Sequence, residues 1–155
     1  MFERLKARFR GPEPTGSPET LRTFGVSDRP IAESGVSVDD DGWRIEAREG
    51  GSVPLFEVAD PGVERSMLTY GAELRSAEVE GGAYLEMWCR FAGRGEFFAK
   101  GLDQKVKGTT GWSSYQVPFY LKAGERPDLI RLNVAFEGAG TLWIRGIELL
   151  RTPLR

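Results

Sequence analysis

Histidine is absent from this chain, and cysteine occurs once. The first absence removes Ser-His and Cys-His nucleophile pairs, histidine-ligated metals and imidazole acid–base work together. The solitary Cys89 excludes an internal disulfide and a cysteine-rich zinc site. No apolar run approaches the ~20 residues needed to span a bilayer. Basic excess is missing too: 21 Lys and Arg stand against 23 Asp and Glu, a net charge of −2. The chain as a whole therefore has no electrostatic footprint for nucleic acid. Its opening, Met1-Phe-Glu-Arg-Leu-Lys-Ala-Arg-Phe-Arg10, lacks the apolar stretch of a secretory signal. Read literally, that implies a cytoplasmic protein, or an extracellular or periplasmic one if a leader has been trimmed away.

What is present is turn-rich and strand-like. With 155 residues, one domain is expected, and a domain of this size buries enough surface to fold without a staple. Twenty glycines and nine prolines beside 40% hydrophobic residues suit many short strands. Residues 1–10 allow a short helix or a disordered arm, with Phe2, Leu5 and Phe9 on one side of it. As an amphipathic helix the segment would be attracted to an anionic membrane surface. Gly11-Pro-Glu-Pro-Thr-Gly-Ser-Pro18 interrupts it as a linker. The expected organisation is a basic segment and linker over 1–20, a β domain over 21–151, and a loose tail over 152–155.

Period-two alternation predicts eight strands. Trp43, Ile45 and Ala47 alternate with polar neighbours, and Pro54 places the next strand at a sheet edge because it has no N–H for a ladder. Leu68, Tyr70, Ala72 and Leu74 form a third inward set, and Glu80-Gly-Gly82 turns the chain. The clearest strand follows, with Leu85, Met87, Cys89 and Phe91 inward and Tyr84, Glu86, Trp88 and Arg90 outward. A short strand over 96–100 comes next. Tyr115, Val117, Phe119 and Leu121 mark another, as do Ile130, Leu132, Val134 and Phe136. Residues 141–150 close the series, with Gly146 as a bulge site that swaps the inward set. Even spacing without intervening helices argues a single antiparallel β-sandwich.

Gly82-Ala-Tyr-Leu85, Gly111-Trp-Ser-Ser-Tyr115 with Val117 and Phe119, residues 129–136, and Gly140-Thr-Leu-Trp-Ile144 before Ile147-Glu-Leu149 carry a resemblance. Over about residues 40–150 the chain resembles the galactose-binding-like jelly rolls. These include the carbohydrate-binding modules of xylanases and the complex I intermediate-associated proteins. More narrowly, residues 84–98 resemble uncharacterised bacterial members. The resemblance implies an all-β jelly roll in which Trp112 is a packing residue. It also implies an aspartate pair in the last strand that helps hold a structural calcium. Arg145 and Gly146 stand at that place here, and an arginine would repel the cation. Neither a cofactor nor a metal is therefore expected.

The outward set of the clearest strand is the best functional lead. Tyr84, Glu86, Trp88 and Arg90, joined by Arg131 and Asn133 if they share its sheet, combine aromatic plates with polar groups. Rings pack against the apolar face of a pyranose, while Arg, Asn and Glu bond its hydroxyls. The expected function is a non-catalytic module that binds a carbohydrate or similar polyhydroxylated ligand. The alternative is a protein-interaction or assembly module, since Trp, Tyr and Arg also anchor interfaces. Trp43 and Trp143 are read as core, and Asp39-Asp-Asp-Gly42 as a solvated turn lacking calcium-loop spacing. No catalytic residue is expected. Glycoside hydrolysis needs only two carboxylates, and Glu86 with Glu73, Glu96 or Glu137 would supply a pair. Among 23 acidic residues such a pairing carries little information.

Overall fold

The computed structural model describes residues 13–155, and the expected helix, arm or membrane anchor over 1–10 lies outside them. Nine antiparallel strands make up the body: β1 (Glu19–Phe24), β2 (Val36–Asp39), β3 (Gly42–Ala47), β4 (Gly51–Ala59) and β5 (Ser66–Phe91), followed by β6 (Gly95–Lys100), β7 (Val106–Leu121), β8 (Leu129–Phe136) and β9 (Gly140–Pro153). There is no helix among the described residues, hence none long and apolar enough to cross a membrane.

The 26-residue β5 organises the fold. Its first half pairs with β9 and β7, and its second half with β8 and β6. One layer therefore runs β2-β3-β9-β5-β7, with β1 beside the last part of β9, and the other runs β4-β8-β5-β6. The expected turn at residues 80–82 is instead a crossing point between layers. Left-handed backbone at Glu78 (φ 52°) and Gly81 (φ 75°) bends the strand there without ending it. Two strands, β1 and β2, had no clear alternating signal because most of their residues are exposed or half-exposed.

Between the layers the alternating apolar sets meet. Leu68, Tyr70 and Leu74 from one side and Met87, Ile130, Leu132 and Val134 from the other are fully buried. Phe56 of β4 stacks on Phe24 at 4.3 Å and tilts against Trp43 at 5.2 Å, tying the layers at one end. The buried Tyr70 hydroxyl crosses the core to donate to the Asn133 carbonyl at 3.1 Å. Burial pushes the Cys89 thiol up to about 12, which makes it an inert packing group.

Local expectations resolve in register. Pro54 sits in β4, an edge strand that pairs with β8 alone, and the ladder shifts just after it. Gly146 (φ 63°) is the expected bulge: Leu142 and Ile144 are buried before it, and Ile147 and Leu149 after it. Asp40 and Asp41 form the turn of the β2–β3 hairpin. The tail is not loose. Thr152 and Leu154 are buried, and backbone bonds run from Leu154 to Arg65 and from Arg155 to Glu13. The buried Leu154 side chain and an antiparallel bridge between Pro14 and Leu154 fix the terminus against the sheet.

Candidate functional site

The outer face of the β4-β8-β5-β6 layer holds a groove of about 300 Å³ lined by Ser52, Pro54, Trp88, Arg90, Glu96, Leu129, Arg131 and Asn133. Cross-strand register assembles it. Glu86 lies opposite Asn133 and Trp88 opposite Arg131 on β8, while β6 sets Lys100 against Glu86 and Phe98 against Trp88. The sheet shared by Trp88, Arg131 and Asn133 is therefore part of the fold. Trp88 is half-buried, and its ring meets Phe98 at 5.2 Å.

Two residues of the expected set stand apart from the groove lining. Tyr84 and Glu86 are 9% and 2% exposed. Glu86 has its oxygens committed internally: Oε1 accepts from the Ser52 hydroxyl at 2.8 Å, Trp88 Nε1 at 2.9 Å and Asn133 Nδ2 at 3.0 Å. Lys100 Nζ stands 3.8 Å from Oε2. Burial opposes the charge of Glu86, but the bonds from Asn133, Trp88 and Ser52 and the Lys100 ammonium outweigh it. The carboxyl is held below its usual range. Alternation put Glu86 on the outer wall correctly; it gave no sign that three donors and a lysine ammonium would converge over it.

The remaining polar groups are fixed in position. Arg90 is held by Asp128 at 3.0 Å and Arg131 by Glu57 at 2.6 Å, both exposed. Asn133 is 4% exposed, with its amide nitrogen given to Glu86. An ionised carboxylate only accepts, so the amide nitrogen must face Glu86 and the amide oxygen must face away from it. That Oδ1 accepts no hydrogen bond among the described residues. Buried acceptors are rarely left so, and each such case calls for a donor from water or a ligand.

The opposite layer carries a feature missed in the sequence. Trp112 and Trp143, expected in the core, are half-buried on its outer face. Register places Arg44, Trp143 and Arg75 side by side across β3, β9 and β5. Arg75 lies 4.1 Å over Trp143 and 5.6 Å from Trp112, and Arg145 lies 3.9 Å over Trp112. Strand phase was the available signal: Leu142 and Ile144 point inward, so Trp143 points out, and Tyr115 and Val117 do the same for Trp112. Arg145 and Arg44 are also paired with Glu73 and Glu46, and Asp39 accepts from Trp143 Nε1 at 3.0 Å. With guanidinium groups already stacked over its rings, this row stabilises a sheet. Trp43 is core as expected, at 1% exposure.

No protein-family model matches the sequence, and no curated protein does. Solved structures do match. The xylan-binding domain CBM22-1 of Paenibacillus barcinonensis Xyn10C superposes with a TM-score of 0.58 at 12% identity, covering 91% of this chain and 99% of that one. A family 16 carbohydrate-binding module gives 0.54 at 13% identity, covering 81% of this chain and 92% of that one. A family 4 module gives 0.54 at 12%, with 83% and 77% covered. At such identity the likeness is one of fold: this chain is an all-β sandwich of jelly-roll type, as those modules are.

Proposed function

We propose that this protein is a non-catalytic module that binds a carbohydrate or similar polyhydroxylated ligand in the Trp88 groove. The exposed part of the Trp88 ring, beside Phe98, packs against the C–H face of a sugar. Arg90 and Arg131, held by their carboxylates, donate to ring hydroxyls. The observation that carries this reading is a groove in which the half-buried Trp88 ring, beside Phe98, lies next to two guanidinium groups fixed by carboxylates. A groove of about 300 Å³ lies at the lower end for ligand sites, so it takes one or two sugar rings of a longer chain.

Catalysis is not part of the proposal. Hydrolysis needs one carboxyl kept protonated as an acid, whereas Glu86 is buried, held in its charged form and occupied by three hydrogen-bond donors with a lysine ammonium nearby. Nor do we assign calcium to the last strand. Arg145 donates to Glu73 at 3.0 Å there, so a guanidinium already occupies the carboxylate that a cation would seek.

The test is calorimetric titration after a screen of neutral and acidic oligosaccharides, xylohexaose included. At least one class is expected to bind, and Trp88→Ala should weaken it tenfold or more, about 1.4 kcal/mol. Silence across the whole screen, or affinity untouched in Trp88→Ala, would sink the proposal.

A further inference from the structure

We propose that the protein self-associates through β6, whose free edge pairs antiparallel with the same strand of a second copy. β6 ends its layer and pairs with β5 alone among the described residues. Seven large apolar side chains are exposed among those residues, and four lie on β6, the loop after it and the adjoining β7. They are Phe97 at 51%, Phe98 at 52%, Leu102 at 54% and Tyr120 at 39%. Folded proteins otherwise blunt a bare apolar edge with proline, a bulge or inward charge, because its unpaired backbone groups recruit another strand.

Charge identifies a second copy as the occupant and fixes the register. Glu96, Phe98 and Lys100 face outward with Arg90, Trp88 and Glu86. A two-fold axis normal to the sheet sets residues of the same face against one another. With Phe98 on that axis, Glu96 of each copy faces Lys100 of the other, and Phe97 is covered by Ala99. The Lys100 ammonium also stands 3.8 Å from Glu86 and 4.4 Å over the Phe98 ring of its own chain. Centring on Phe97 instead would put Glu96 against Phe98 and form no charge pair. Glu96 has no ion-pair partner among the described residues, so its charge is available to a second copy. Six residues a side bury less than the roughly 1,200 Å² of standard stable interfaces, so the dimer is weak, with a Kd in the micromolar range.

Pairing joins two four-stranded layers into one eight-stranded sheet. The two Trp88 positions then lie three strand spacings apart, about 14 Å, and open on the same side. A long glycan bridging both gains avidity. That consequence rests on the ligand reading above; the dimer does not.

Sedimentation velocity from about 5 to 500 µM, without ligand, tests the proposal. A reversible monomer–dimer equilibrium is expected, and Glu96→Lys should weaken it tenfold or more in a variant whose circular dichroism shows the fold intact. Under mild oxidation Phe98→Cys should cross-link two copies faster than Glu96→Cys does, since position 98 alone opposes itself. The buried Cys89 does not compete. A monomer throughout the range, a dimer indifferent to Glu96→Lys, or equal cross-linking at 96 and 98 would overturn the proposal.

Discussion

Replacing Glu86 with glutamine changes one atom and the charge, which makes it a sharp probe of the groove's foundation. Three donors point at Oε1 over 2.8–3.0 Å, and the Lys100 ammonium faces Oε2 at 3.8 Å. Glutamine keeps an oxygen for the three donors but makes each bond neutral. Bonds to charged acceptors contribute about 1.5–3 kcal/mol and neutral ones about 0.5–1.5, so about 1 kcal/mol or slightly more is lost per bond. The amide also turns an N–H₂ toward Lys100. Bonds sharing one acceptor do not add fully, and the expected loss is about 2–3 kcal/mol at neutral pH. Urea unfolding at constant slope reads it directly. The pH dependence gives a second, independent check. The native carboxyl lies below its ordinary value of 4.5, so its contribution is complete above that value and is lost as pH falls through the native one. The wild-type protein and Glu86→Gln should therefore differ most above pH 5 and converge in acid. A difference under about 0.5 kcal/mol, or parallel curves throughout, would refute the network as described.

Other perturbations report on separate parts of the structure. Gly42→Ala should lower the melting temperature by several degrees, a loss of about 1–3 kcal/mol, because a Cβ there meets the Ile144 carbonyl of the paired strand. The Cys89 thiol should stay unreactive toward a thiol reagent at pH 8 until the protein is unfolded; rapid native labelling would contradict its burial. Trp112→Ala removes one plate of the Arg–Trp row and should cost about 1–2 kcal/mol of stability while leaving ligand affinity unchanged. Lost binding with unchanged stability would move the site to the opposite layer.

How far the sequence could be read depended on whether a side chain's environment is set by its own strand. Leu85, Met87, Cys89 and Phe91 lie inward as their alternation required, and Pro54 and Gly146 sit at an edge and a bulge for reasons of backbone chemistry alone. The union of two alternating segments into β5 was not legible. A glycine pair between strands reads as a turn, and continuity depends on partner strands on both sides of the crossing. For the site, alternation placed Tyr84, Glu86, Trp88 and Arg90 on one wall. It gave no account of depth, because the burial of Glu86 comes from Ser52 and Asn133 on other strands. Trp112 and Trp143 show the converse: their phase pointed outward, and their size argued for the core. The row of guanidinium groups that covers them exists only once β3, β9, β5 and β7 are side by side.

The most direct measurement is the set of indole N–H signals in an amide correlation spectrum during titration with pooled oligosaccharides. Four tryptophans report on three places: Trp88 on the groove, Trp112 and Trp143 on the opposite outer face, and Trp43 in the core. A binding pool should move the Trp88 signal, whose N–H is shared with Glu86, and leave those of Trp43, Trp112 and Trp143 in place. A pool that instead moves Trp112 and Trp143, or a Trp88 signal unmoved by every pool, would contradict the account.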